Sequence, residues 1–247
     1  MSDRPRDWNA ASYQRVSAPL EAMGREVLYR LELRGDERVL DAGCGTGRVT
    51  AALVERLPHG QVVAVDGSPS MVEQARERLG PGVEVFVADL LELELDEPVD
   101  AILSTATFHW IPDHDRLFER LSTALRPGGR IVAQCGGAGN VASVQAAIDA
   151  VAEPALQGWP GPWNFQSPAD TAARLERIGF TGIRTWPQDV RVKPDDMREY
   201  LGTVMLGSHL ERIPEERRAA FVEAVLAELP EPAIDYVRLN VIARKPA

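Results

Sequence analysis

The amino-acid sequence predicts an α/β protein built on a doubly wound, mostly parallel β-sheet. Between positions 37 and 134, short β-rich runs alternate with segments of helical periodicity, which is typical of βαβ units. Each helical segment ends at a turn rich in proline or glycine, and the first strand runs into a turn with three alternating glycines. Ligands of such sheets bind at the carboxyl ends of the strands, so this glycine turn marks the expected site.

Five strands and three helices are predicted in this region. The strands are 38–43, 61–68, 83–89, 100–106 and 130–136. Apolar residues three or four positions apart predict the helices, with stripes at Val49, Leu53 and Leu57, at Val72, Ala75 and Leu79, and at Leu117, Leu121 and Leu125. The turns that end these helices are 58–60, 80–82 and 127–129. Ser68 and Pro69 predict the N-cap and first position of the second helix.

The character of the chain changes after Cys135. A run of small residues leads into a segment rich in proline and tryptophan, so 137–167 is interpreted as an insertion over the site. A helix is predicted over 168–178, ended by Gly179, and is followed by a β-rich run. Helical patterns over 195–212 and 215–229 precede an alternating run over 236–245, which suits a terminal strand.

The composition argues against several classes of function. A net charge of −10 disfavours nucleic-acid binding, because phosphate contacts need concentrated Lys and Arg. The apolar runs are only of strand length and the N-terminus has no signal-peptide core, so we expect a cytoplasmic protein that does not enter a membrane. Cys44 and Cys135 lack disulfide-framework or zinc-ligand spacing.

The glycine turn selects among cofactors. Its glycines are Gly43, Gly45 and Gly47, whereas a dinucleotide fingerprint would need glycine at the position of Arg48, and no Walker lysine follows. Asp41 stands two residues before the first glycine, and its carboxylate would repel a pyrophosphate but attract a cation. S-adenosylmethionine carries a sulfonium and an ammonium against one carboxylate, so the turn favours this cofactor.

Two further acidic residues follow strand ends. Asp66 ends the second strand, where a carboxylate can accept hydrogen bonds from both ribose hydroxyls, and Asp89 follows the third, where it can accept from an adenine amino group. Each acid has a structural alternative, since Asp41 could cap a turn, Asp66 could precede a helix start and Asp89 could be solvated. A NAD-linked oxidoreductase also uses an acid at the position of Asp66, but Arg48 and Asp41 disfavour it.

Four segments carry a resemblance to a known family. "VLDAGCGTG", "VVAVDGSPSMVEQAR", "VADL" and "LSTATFHWIPDHDRLFERLSTALRPGGRIV" cover most of 38–135 and resemble class I S-adenosylmethionine-dependent methyltransferases. "WNAASYQRVSAPL" and "FHWIPDHDRL" are similar to the trans-aconitate methyltransferase group within that superfamily. The resemblance implies a Rossmann-like methyltransferase fold of seven strands, with 236–245 inserted antiparallel, and methyl transfer to a small molecule. A non-catalytic S-adenosylmethionine-binding protein is an alternative.

The resemblance also implies roles for individual residues. The glycines would lie under the methionine portion of the cofactor, Asp66 on the ribose, Met71 against the adenine, and Asp89 with Leu90 at the adenine edge. Thr105 and Ala106 would border the cofactor near the sulfonium, and the N-terminal segment with Tyr13 would lie across it. The predicted cofactor-binding residues are Tyr13, Asp41, Gly43, Cys44, Gly45, Gly47, Asp66, Gly67, Met71, Asp89, Leu90, Thr105 and Ala106.

His109 and Trp110, after the fourth strand, are the candidate catalytic residues. Methyl transfer needs alignment above all, and a base only if the acceptor is a hydroxyl or amine rather than a carboxylate. His109 could be that base or could orient its loop, and Trp110 could wall the acceptor pocket or fill core. The trans-aconitate enzymes commonly have glutamine at the position of His109. No metal site is expected, because Asp113 and Asp115 suit a helix start better than a ligand set.

The predicted division of the single domain places caps above the strand ends. It comprises an N-terminal helical lid (1–34), a cofactor-binding core (35–136), cap insertions (137–167 and 195–230) and returns to the sheet (168–193 and 231–247). Aromatic residues of the lid and caps would enclose a small acceptor, whose carboxylate could pair with Arg15, Arg198 or Arg212. The expected reaction is O-methylation of a carboxylate or hydroxyl by a monomeric or homodimeric enzyme.

Overall fold

A computed structural model describes residues 6–247 and contains one seven-stranded sheet. The strand order is β3-β2-β1-β4-β5-β7-β6, and β7 runs antiparallel to both of its neighbours while the other pairs are parallel. The strands are β1 (Arg38–Ala42), β2 (Gln61–Asp66), β3 (Glu84–Val87), β4 (Val99–Thr105), β5 (Leu125–Gly136), β6 (Thr181–Val192) and β7 (Ile234–Arg244). The doubly wound architecture and the antiparallel last strand are confirmed.

Helices cover both faces of the sheet. They are α1 (Ala10–Val16), α2 (Ala18–Arg30), α3 (Arg48–Glu55), α4 (Pro69–Leu79), α5 (His114–Ala124), α6 (Ala142–Val151), α7 (Pro168–Ile178), α8 (Met197–Tyr200), α9 (Gly207–Leu210) and α10 (Glu215–Glu228). Side chains alternate across the pleat, so Leu40 packs towards α5 and α7 while neighbouring Val39 packs towards α2 and α3. Burial on both faces explains why the central strands are almost continuously apolar.

The turn at 127–129 differs from its prediction. Helix α5 ends at Ala124, and β5 already begins at Leu125, so the Pro-Gly-Gly turn lies inside the strand rather than at the end of the helix. The pairing between β4 and β5 shifts register between Val99 and Ala101 to accommodate it. Gly128 has a φ of +77° and donates its N–H to the carbonyl oxygen of Lys245, which makes this a glycine bulge.

A second hydrophobic cluster lies above the carboxyl ends of the strands. Helices α1, α6 and α10 contribute to it, together with residues such as Tyr200 and Tyr236. The helical pattern over 195–212 is broken into α8, a π-helical turn (Leu201–Met205) and α9. Short 3₁₀ turns occur at Phe108–Trp110 and Pro154–Leu156. Among the described residues, no helix is long and apolar enough to cross a bilayer.

Candidate active site at the carboxyl ends of the strands

The glycine turn after β1 is held against the neighbouring strand. The N–H groups of Gly43 and Cys44 both donate to the carbonyl oxygen of Val65 in β2. Gly45 has a φ of +54°, and a Cβ added there would find no heavy atom within 4 Å. The open space above Gly45 is therefore available to a ligand that approaches the backbone closely.

Asp41 is buried at the end of β1 with one carboxylate oxygen unpartnered. It is 1% exposed, its Oδ2 accepts a hydrogen bond from Thr50 Oγ1 at 2.7 Å, and its Oδ1 has no partner. Burial raises the pKa of Asp41 to about 7, and the nearby charge of Asp66 adds to the rise. A cation above the turn would favour the ionised carboxylate and oppose this rise.

Asp41 makes the stability of the cofactor-free protein depend on pH. Because its pKa is raised on folding, the folded chain binds this proton more tightly than the unfolded chain, and the resulting stability is lost as the pH rises towards about 7. Between roughly pH 5 and 7, the free energy of unfolding of the wild type should therefore fall by up to about 1.4 kcal/mol per pH unit through this group, as measured by thermal melts. Asp41→Asn should flatten this slope. The same pH dependence of stability in the two proteins would contradict the assignment.

Asp66 is fixed by backbone donors on both sides. Gly45 N–H donates to its Oδ2 and Ser68 N–H to its Oδ1, both at 2.9 Å. Burial raises the pKa of Asp66, although these N–H groups act in the opposite direction. A carboxylate has about four acceptor positions, so two stay available for hydroxyl donors.

The residues predicted at the adenine lie beside Asp66. The N–H of Ala88, just after β3, donates to the carbonyl oxygen of Asp66, which brings the segment with Asp89 and Leu90 to this strand end. Asp89 is half-buried, its Oδ1 accepts the N–H of Leu91 at 2.9 Å, and Leu90 is buried. Met71 is buried in the first turn of α4, where its N–H donates to the predicted N-cap Ser68.

The N-terminal segment is hydrogen-bonded to the same end of the sheet at two places. Asp7 Oδ1 accepts a hydrogen bond from Ser68 Oγ at 2.5 Å, and Trp8 N–H donates to Ser68 Oγ at 3.1 Å. Arg48, at the position where a dinucleotide fingerprint would have glycine, donates from Nη1 to Glu21 Oε2 at 2.6 Å. The same guanidinium donates to the carbonyl oxygen of Gln14 at 2.7 Å.

Tyr13 lies in α1 of this segment and is in edge-to-face contact with Trp8, with 5.8 Å between the ring centroids. Burial raises the pKa of Tyr13 to about 12, and the carboxylate of Asp66 contributes to the rise. The phenol therefore stays protonated at neutral pH.

The segment after β4 is tied to the glycine turn and to β5. Thr107 Oγ1 donates to the carbonyl oxygen of Gly43 at 3.3 Å, and Ala106 N–H donates to that of Gln134 at 2.7 Å. Thr105 and Ala106 are half-buried, and Ala106 has a φ of +56°. A non-glycine residue rarely adopts this conformation unless its surroundings hold it there.

His109 and Trp110 follow in the 3₁₀ turn. His109 is 6% exposed, and its Nδ1 accepts the N–H of Gly136 at 3.1 Å. Burial holds the pKa of His109 well below its ordinary range, and the positive charge of Arg238 lowers it further. The ring stacks on Phe165 at 5.9 Å, while Trp110 contacts Trp8 at 5.1 Å.

The three arginines suggested for an acidic acceptor are engaged elsewhere. Arg15 pairs with Glu199 and Arg198 with Glu223, both at 2.6 Å and with more than half of each arginine side chain exposed. Arg212 lies over the ring of Trp159, 4.3 Å from its centroid.

An arginine that the sequence-based predictions did not include, Arg238 of β7, lies opposite Gly136, the residue whose N–H donates to His109. The signal in the sequence was a charged residue in the middle of an apolar strand, because a charged side chain is rarely buried without a partner.

No group of three potential metal ligands occurs within residues 6–247. Asp113 caps α5 by accepting the N–H of Arg116 at 3.0 Å, as its helix-start interpretation predicts. His114 Nε2 is hydrogen-bonded to the carbonyl oxygen of Phe108 at 2.8 Å. Burial raises the pKa of Cys44 well above its ordinary value, so this thiol stays protonated in the glycine turn.

Comparison with known proteins identifies the family and agrees with the fold. The methyltransferase domain family matches residues 39–129. Trans-aconitate 2-methyltransferase of Shigella flexneri is 30% identical over 74% of this chain and 82% of its own length. The chain belongs to the class I S-adenosylmethionine-dependent methyltransferases. The trans-aconitate 2-methyltransferase of Methylobacterium nodulans is 29% identical over 97% of this methyltransferase and 98% of its own length.

The same fold occurs in phosphoethanolamine N-methyltransferase 2 of Haemonchus contortus, solved with S-adenosylhomocysteine. Its TM-score is 0.66 at 19% identity, over 96% of this methyltransferase and 57% of the other chain. Because the chain belongs to the S-adenosylmethionine-dependent family, its cofactor is S-adenosylmethionine, which supplies a methyl group already activated by a sulfonium. Three features of the site fit it, namely the open space over Gly45, the free acceptor positions of Asp66 and the unpartnered buried oxygen of Asp41.

Proposed function

We propose that the methyltransferase transfers its methyl group to an oxygen of a small-molecule carboxylate. The observation that carries this proposal is the state of His109. Gly136 N–H donates to Nδ1, so in the neutral ring the proton resides on Nε2, and His109 can donate a hydrogen bond but is a weak base. A hydroxyl acceptor would need a base with a suitable pKa, whereas a carboxylate is already ionised at neutral pH.

The phenol of Tyr13 is equally unsuited to remove a proton from the acceptor. Burial raises its pKa to about 12, so at neutral pH it is a hydrogen-bond donor. The curated relatives at about 30% identity bear the name trans-aconitate 2-methyltransferase, which is consistent with a carboxylate acceptor. A hydroxyl acceptor is the second candidate, with His109 as the candidate base.

The roles of individual residues belong to this proposal. The predicted cofactor-binding residues, from Tyr13 to Ala106, would surround S-adenosylmethionine, with Asp66 accepting the ribose hydroxyls. The N-terminal lid would close over the cofactor, and the two cap insertions would enclose the acceptor beside Trp110. A cytoplasmic location, a monomeric or homodimeric state and the lack of nucleic-acid partners stay predictions.

A transfer assay with radiolabelled S-adenosylmethionine tests the acceptor class. We expect label to enter trans-aconitate or another small carboxylic acid and to be released by mild alkali, as from a methyl ester. Catechol and a primary amine serve as hydroxyl and amine acceptors in parallel reactions. Alkali-stable transfer to either of them, with none to the acids, would overturn the proposal.

Substitution of His109 distinguishes a hydrogen-bonding residue from a base. Gln can accept from Gly136 and donate from its amide, so His109→Gln should keep kcat within about threefold and show the wild-type pH profile, whereas His109→Leu should lower kcat by roughly tenfold or more through the lost hydrogen bonds. The dissociation constant for S-adenosylhomocysteine should stay nearly unchanged in both. A fall in wild-type kcat on the acid side of the pH profile, absent from His109→Gln, would instead identify His109 as the base.

A further inference from the structure

Arg238 is a cation buried within the sheet. It lies in the middle of β7, opposite Gly136 of β5 and Gln188 of β6, and is 2% exposed. Within residues 6–247, no carboxylate forms an ion pair with it. Arginine cannot escape this cost by losing its proton, so an unpaired guanidinium at such a position calls for a ligand.

The contacts of the guanidinium leave its outer edge unused. Its Nε donates to Gln134 Oε1 at 3.5 Å, and its central carbon lies 5.4 Å from the ring centroid of Tyr236. In the part of the chain that the structure describes, neither terminal nitrogen has a hydrogen-bond partner, and neither is completely enclosed by protein atoms. The paired N–H groups of this edge match the geometry of a carboxylate.

The groups around Arg238 are neutral and can donate hydrogen bonds. The hydroxyls of Tyr200 and Tyr236 are 2.6 Å apart, and burial raises the pKa of both phenols, so they stay protonated. Gly136, opposite Arg238 in the strand pair, donates its N–H to His109 Nδ1, so Arg238 lies close to the candidate catalytic turn. One cation beside two protonated phenols, with no carboxylate of residues 6–247 paired to it, complements an anion.

A chain of amides holds Gln134 in position. Gln134 Nε2 donates to Asn240 Oδ1 at 2.8 Å, which leaves Gln134 Oε1 facing Arg238. Arg30 of α2 donates to the same Asn240 oxygen and, at 3.1 Å, to Gln188 Oε1. Gln134 is thus a positioning residue that orients the guanidinium without neutralising it.

We propose that Arg238 binds a carboxylate of the methyl acceptor, and that Gln134 presents its guanidinium to that group. This inference rests on the proposed function, because it assumes an acidic acceptor. A carboxylate paired with a guanidinium has its lone pairs engaged and is a poor nucleophile, so the bound carboxylate is distinct from the one that receives the methyl group. The preferred acceptor then carries at least two acidic groups, one of which remains in the product.

Calorimetric titration of the complex with S-adenosylhomocysteine tests this subsite without turnover. The probes are succinate and fumarate, with succinamate and inorganic phosphate for comparison. We expect a dicarboxylate to bind the wild type, and Arg238→Met to weaken that binding by tenfold or more while S-adenosylhomocysteine affinity stays within about twofold. Arg238→Lys should retain part of the affinity, since it keeps the charge but not the paired N–H groups. Arg244→Met, which alters an exposed residue of the same strand, is the matched control.

Gln134→Glu provides a second test that keeps Arg238 in place. The new carboxylate would lie beside Arg238 and compete with the ligand, so dicarboxylate affinity should fall, and thermal melts report the cost of the lost hydrogen bond to Asn240. Unchanged dicarboxylate binding in Arg238→Met, tighter binding of phosphate than of either dicarboxylate, or no binding of any carboxylate to the wild type would each overturn the subsite. A wild type that binds dicarboxylates but methylates no acid would overturn the proposed function alone.

Discussion

Asp66→Ala is expected to weaken S-adenosylhomocysteine binding by about 1.5–3 kcal/mol, or roughly 10- to 150-fold in the dissociation constant. The substitution removes the acceptor proposed for the ribose hydroxyls. It also leaves the N–H groups of Gly45 and Ser68 without their partner, so the glycine turn loses part of its preorganisation. Calorimetric titration with S-adenosylhomocysteine measures the effect, and thermal melts without ligand report how much of it is loss of stability.

Asp113→Ala is the matched control for Asp66. Asp113 likewise accepts a backbone N–H at the start of a helix, but its helix α5 starts away from the glycine turn. Both variants should lose about 1 kcal/mol of stability through the lost backbone acceptor, as measured for helix caps. Only Asp66→Ala should lose cofactor affinity, and equal dissociation constants for the two variants would remove Asp66 from the site.

Gly43→Ala and Gly45→Ala are expected to fail in different ways. A Cβ at Gly43 would overlap the side chain of Thr107, whose Cβ would be only 2.7 Å away, and its φ of +89° already disfavours alanine. Overlap of this kind costs about 1–3 kcal/mol or more, and the backbone strain adds to it. For a combined cost of about 3 kcal/mol, at about 2–4 °C per kcal/mol for a chain of this size, Gly43→Ala should lower the melting temperature by roughly 6–12 °C, and a larger cost would prevent folding.

Gly45→Ala should instead act on the cofactor. Its Cβ meets no protein atom within 4 Å, so only the strain of a φ of +54° opposes folding, at about 1–2 kcal/mol. The methyl group would occupy the open space proposed for S-adenosylmethionine, and affinity for S-adenosylhomocysteine should fall by about tenfold or more. A Gly45→Ala variant with wild-type affinity would move the cofactor away from this turn, whatever its melting temperature.

The sequence predicted those features that depend on nearby residues. Helix α7 occupies 168–178 as predicted, because an N-cap serine, a proline at the first position and a final glycine define its ends locally. The doubly wound sheet followed from the alternation of strand and helix patterns. Strand β5 begins directly after helix α5, earlier than predicted. The bulge at Gly128 that allows this is hydrogen-bonded to Lys245, more than a hundred residues away in the chain.

By itself, therefore, the sequence determined the fold class, the glycine turn and the acids that follow the strand ends. Periodicity, capping and turn chemistry all act over a few residues, so they can be recognised in one stretch of chain. Only the tertiary structure decided which polar groups meet. Arg238 lies beside Gly136 and Gln134 because β7 inserts between β5 and β6, and Nδ1 of His109 accepts the N–H of Gly136 at the end of β5. The partners of a buried polar group depend on which strands become neighbours, and spacing along the chain does not contain that information.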